Sequence, residues 1–82
     1  MTAAVRDYPR MIFTRRIAAQ GQTRAFIIEH AENGWIAWEQ DETATRMRVM
    51  RDWRHVEAVM ALFASKVAAL RSEGWSEIAP GV

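Results

Sequence analysis

From Asp52 to Glu73 the chain runs without glycine or proline, and its apolar residues recur at helical spacing until Gly74 stops the pattern. Val56, Val59, Met60, Phe63, Val67 and Leu70 fall on one stripe at 100° per residue, with Trp53 at its margin. Asp52 is placed to cap this helix, its carboxylate accepting a free backbone N–H at the positive end of the helix dipole. Gly74 suits the left-handed residue that closes a helix, and Trp75 behind it can fold back on the last turn. Such a stripe has to be covered, because each fully buried member contributes about 1.5–3 kcal/mol. The residues before Asp52 must therefore supply an apolar surface of matching size.

They read as strands. Arg10 to Ala18 alternates, with Met11, Phe13 and Ile17 on one face and Ile12, Thr14 and Arg16 on the other. Ala19-Gln20-Gly21-Gln22 is a turn in which Gly21 can take positive φ. Thr23 to Ala31 follows, Phe26 and Ile28 facing one way and Ile27 and Glu29 the other. Asn33-Gly34 has the composition of a type I′ hairpin turn, which leads into a third strand from Trp35 to Gln40. After the polar turn Asp41-Glu42-Thr43 comes a fourth strand, Ala44 to Met50, expected to point Met47 and Val49 inward and Arg46 and Arg48 outward. Ser76 to Val82 can add a short edge strand. The expected architecture is α+β: a four-stranded antiparallel β-meander packed against one long C-terminal α-helix. A flexible arm at 1–9, one domain at 10–78 and a tail at 79–82 complete it.

At 82 residues, with half of them hydrophobic and four tryptophans, the chain supports one core and one domain. It has no cysteine, which removes disulfides and thiolate metal ligands and fits a cytoplasmic location. No window is apolar enough for a membrane span, and the first ten residues do not read as a signal peptide. Net charge is only +1, yet it comes in blocks. Residues 1–28 hold five arginines and one aspartate, residues 29–44 five acids and no base, and residues 45–54 four arginines and one aspartate. On neighbouring strands such blocks set opposite charges side by side, each pair contributing roughly 0.2–1 kcal/mol.

Two surfaces stand out as candidates for function. The helix back is poor in charge: Ala58, Ala61, Leu62, Ser65 and Ala69 form a small-residue face on which a second helix can approach closely. A protein partner, most simply a second copy in a homodimer, is the expected occupant. The other candidate is a sheet face for nucleic acid. Trp35 and Trp38 are three apart on one strand and so point to opposite faces, one into the core and one outward. An outward Trp38 beside Arg16, Arg24, Arg46 and Arg48 would offer a stacking platform ringed by phosphate-binding side chains.

Catalytic and metal chemistry find little footing. His30 and His55 lie on unrelated elements, and His55 sits where a local contact with the Asp52 cap explains it. Ser65 and Ser72 lack an adjacent base and an orienting group. Glu29 and Glu39 can be imagined as paired carboxylates across strands two and three. The four glycines form no phosphate-cradling motif. No enzyme activity, cofactor or metal is expected from these residues.

Gly34-Trp35 and Trp38 in a meander, then an Ala-rich helix with Phe63, Lys66 and Leu70, then Gly74-Trp75, together resemble the WGR-type domain. That module is found beside poly-ADP-ribose polymerase domains and in small bacterial proteins. The resemblance spans Phe26 to Ile78 and implies a helix packed on an antiparallel sheet, with contact to DNA in some members. Where that family carries its Trp-Gly-Arg tripeptide, Trp38 is here followed by Glu39 and Gln40, so no binding residue is carried over. The plan of sheet and helix is also similar to that of single-strand-binding transcriptional coactivators, which dimerise.

Overall fold

The computed structural model describes residues 11–78. The arm and tail expected at 1–9 and 79–82 lie outside the described residues. The elements are β1 (Met11–Ala19), β2 (Gln22–Ala31), β3 (Gly34–Gln40), β4 (Thr45–Met50), α1 (Trp53–Ser72) and β5 (Ser76–Ile78). They build one antiparallel sheet in the order β4-β3-β2-β1-β5, with α1 across one face. The α+β class and the meander are as expected. The strand count is five rather than four, because the chain turns back after Gly74 and pairs β5 with the outer side of β1.

The two ends of α1 follow from their residues. The Asp52 carboxylate accepts the Arg54 N–H at 2.9 Å, as the capping reading requires. At the other end Gly74 has φ +104°. Its N–H donates to the Arg71 carbonyl at 3.1 Å, and the Trp75 N–H reaches the Leu70 carbonyl at 3.1 Å. This is the Schellman pattern, and Trp75 and Leu70 both pack against the core beside it.

The hairpins divide differently from expectation. In the β1–β2 loop both Gln20 (φ +50°) and Gly21 (φ +81°) are left-handed, so the primed turn is here. The β2–β3 loop is Glu32-Asn33, closed by the Ala31–Gly34 pair, and neither loop residue has positive φ. Gly34 is the first residue of β3, with φ +150°. Its service is to packing: a Cβ there would overlap the Met50 carbonyl oxygen and lie 3.3 Å from the Cα of Arg51. Without a side chain at 34, β4 can close on β3 and deliver the chain to the helix.

Register divides the side chains into two faces. On the helix side Phe13, Arg15 and Ile17 lie beside Ile28, Phe26 and Arg24, and these beside Ala37 and Glu39. Trp35 pairs with Met50, Ala37 with Arg48 and Glu39 with Arg46. The core is Ile17, Phe26, Ile28, Ala37 and Met50 from the sheet and Val56, Val59, Phe63 and Val67 from α1. Phe63 is central, its ring 5.2 Å from Phe26 and 6.0 Å from Phe13. The helical stripe read from the sequence is therefore the buried one.

The facing of β4 is the reverse of expectation. Met50, 1% exposed, is its buried residue. Since side chains alternate, Arg48 and Arg46 share its side, and Met47 and Val49 point away from the helix. Met50 wins because it ends β4 two residues before the Asp52 cap, beside Trp35 on the face that the helix covers.

Candidate interaction surface

The sheet face opposite α1 carries no covering layer among the described residues. Across it run two apolar rows: Ile27, Trp38 and Met47 in one, Met11, Ile36 and Val49 in the other. Met47 is 56% and Val49 50% exposed. Ile78 of β5 adds an exposed residue at the far edge. Thr14 ends the first row, and Arg16, Gln40 and Thr45 form a polar border toward the β1–β2 turn. One acid stands within the patch, Glu29, and its carboxylate accepts the Trp38 indole N–H at 2.9 Å. That bond fixes the Trp38 ring across the strands and ties down the carboxylate. A solvated sheet face is ordinarily mainly polar, and this departure makes the open face the candidate contact surface.

Sequence reasoning missed this patch. Ile27, Ile36, Met47 and Val49 were each readable as apolar and alternating, but inverting β4 sent Met47 and Val49 to the core. No local signal settles that choice, since Thr45 to Met50 offers apolar residues on both parities.

The proposed partner residues of the helix, Ala58, Ala61, Leu62, Ser65 and Ala69, are all exposed. Leu62, 43% exposed, is the one large apolar side chain of that set. It leans to the flank of the helix, over a cleft of about 280 Å³ toward β4 whose lining includes Ala37, Arg46, Arg48, Phe63 and Lys66. Alanines bury little area, so this surface offers less to a partner than the sheet face does.

The residues of the nucleic-acid reading are not brought together. Arg16 and Trp38 belong to the open face, and Arg24, Arg46 and Arg48 to the helix side. Arg24 stacks over the Trp75 ring at 5.0 Å. No single face therefore joins a tryptophan platform to the four arginines. Trp35 lies on the helix side, its ring 5.5 Å from Trp53 and 6.1 Å from His30.

Nor do the candidate chemical pairs meet. Glu29 and Glu39 face opposite sides of the sheet, and both Glu39 oxygens accept from the Lys66 ammonium, at 3.1 and 2.9 Å. His30 and His55 are both exposed, and the His55 backbone N–H donates to the Asp52 carbonyl at 3.0 Å. Among the described residues no three His, Asp or Glu side chains group to hold a metal ion, and no helix is long and apolar enough to cross a membrane. At the other edge of the sheet, Arg15 holds the Glu77 carboxylate through Nε and Nη2, and Arg71 approaches it at 3.7 Å. The hydrogen bond from Arg15 keeps the Glu77 carboxyl below the usual carboxylate range and raises Arg15 in turn.

Comparison of the chain with protein-family models, with curated proteins and with solved structures finds no match in any of the three.

Proposed function

We propose that the chain is a non-catalytic interaction module that self-associates through the open face of its sheet. The observation that carries this reading is the exposure of Met47 and Val49 in continuity with Ile27, Ile36 and Trp38. A second copy is the occupant that best suits the patch. Strand spacing and rise make the whole face roughly 24 by 20 Å, so two copies packed face to face remove about 1,000 Å² from water, the threshold of a specific interface. The charges are balanced as self-packing requires, with one arginine, Arg16, and one acid, Glu29, on the face. Two-fold packing of two such sheets gives a four-layer arrangement, helix-sheet-sheet-helix, with the sheets about 10 Å apart.

Sedimentation of the wild type, Met47→Glu and Leu62→Glu tests this. The wild type is expected to show dimer mass, Met47→Glu monomer mass with an unchanged circular dichroism spectrum, and Leu62→Glu dimer mass. A monomeric wild type overturns self-association. Dissociation by Leu62→Glu alone moves the interface to the helix back.

A further inference from the structure

The sheet has two edges, and they differ. At one edge β5, Ser76-Glu77-Ile78, is laid antiparallel on β1. Its Glu77 faces the helix side and is held by Arg15, and its Ile78 faces the open side. At the other edge β4 has no strand outside it among the described residues, and half of its backbone N–H and C=O groups turn away from β3. Thr45 to Val49 are all exposed. Arg46 and Arg48 line the helix side of this strand and make no ion pair among the described residues, while Met47 and Val49 line the open side. On β1 the helix-side Arg15 is met by Glu77 of β5, whereas Arg46 and Arg48 on the helix side of β4 have no acid-bearing strand outside them among the described residues.

We infer that β4 receives an extended segment of another protein as a sixth strand, with carboxylates at alternate positions and apolar residues between them. Main-chain hydrogen bonds supply the pairing, as in other strand-addition modes. Carboxylates opposite Arg46 and Arg48 supply the charge pairs that Glu77 gives Arg15. Apolar residues opposite Met47 and Val49 extend the open face by one strand. A second copy of this chain is the wrong occupant. Antiparallel pairing of β4 with itself, helix faces on the same side, sets arginine against arginine, and the Glu77 carboxylate that β5 of a second copy could offer is already held by that copy's own Arg15. The edge therefore rejects self-pairing and selects an acidic partner. This inference concerns a different surface from the sheet face and stands or falls separately.

The test is fluorescence anisotropy of the 82-residue chain with a labelled peptide of about ten residues alternating Glu and Val. A peptide of the same composition with its glutamates and valines in two blocks serves as control, alongside a single-stranded oligonucleotide of similar charge. The alternating peptide is expected to bind and to slow hydrogen exchange at the β4 amides. Arg46→Glu combined with Arg48→Glu should weaken it roughly ten-fold or more, since two opposed charge pairs become repulsive. The same variant should gain affinity for a Lys-Val alternating peptide. Equal binding of the block peptide overturns the inference, as does binding without protection of β4. Binding of the oligonucleotide in place of the peptide also overturns it, and assigns the two arginines to phosphate.

Discussion

Gly34 and Gly21 are the same residue in two roles, and only their surroundings distinguish them. At Gly21 a Cβ meets nothing within 4 Å, so the residue serves conformation alone. Alanine there should cost about 1 kcal/mol, the left-handed penalty of an L-residue. At Gly34 the same change adds a steric conflict with the Met50 backbone to the strain at φ +150°. Gly34→Ala should therefore destabilise by roughly 2–4 kcal/mol, the sum of backbone strain and overpacking. Urea unfolding of the two variants checks the ordering, and equal losses would mean that β4 yields without penalty. Trp38 and Glu29 make the same point for side chains. Each was visible as a residue, but only the fold makes the indole the donor that holds the carboxylate across the strands.

At the scale of elements, the connection between β3 and β4 is organised by one carboxylate. Asp41 Oδ1 accepts the Thr43 N–H at 2.8 Å, its hydroxyl at 3.0 Å and the Ala44 N–H at 2.9 Å. The Thr43 N–H first, then its hydroxyl and the Ala44 N–H, holds the Asp41 carboxyl below the usual range. A folded-state value below the unfolded one means that the turn is stabilised while Asp41 is ionised, and that this contribution disappears as pH falls through the folded value. The stability difference between wild type and Asp41→Ala should be constant above about pH 5 and narrow below about pH 4, near the unfolded aspartate value. Denaturant titrations across that range measure it, and a difference that ignores pH would show the carboxylate not to be the stabilising form. The strands on either side had been legible as elements. Helix α1 was legible down to its cap residues, because its stripe, Asp52 and Gly74 are local signals on a single element.

Across the whole molecule the sheet has two apolar faces, one covered by the helix and one open. If the open face joins two copies, unfolding is coupled to dissociation, and the melting temperature rises with protein concentration by mass action. Wild type should show that rise and Met47→Glu should lose it, without a fall in the melting temperature at the lowest concentration. Calorimetry over a hundred-fold dilution series decides the matter, and a concentration-independent wild type would contradict a dimer.

Periodicity and composition by themselves determined the α+β class, the hairpin succession and the stripe of α1, because each is carried by residues adjacent or one turn apart in the chain. The opposite facing of Trp35 and Trp38 was likewise a matter of strand period. The tertiary structure alone decided which side of β4 is buried. Thr-Arg-Met-Arg-Val-Met offers Met47 and Val49 on one parity and Met50 on the other, and local pattern favours the larger set. Long-range packing reversed that choice: Trp35 and Val56 converge on Met50, and Gly34 lets its backbone come close. A single strand has two faces and no means of ranking them. The helix that covers one of them supplies the ranking, and so decides which apolar residues become core and which are left exposed on the open face.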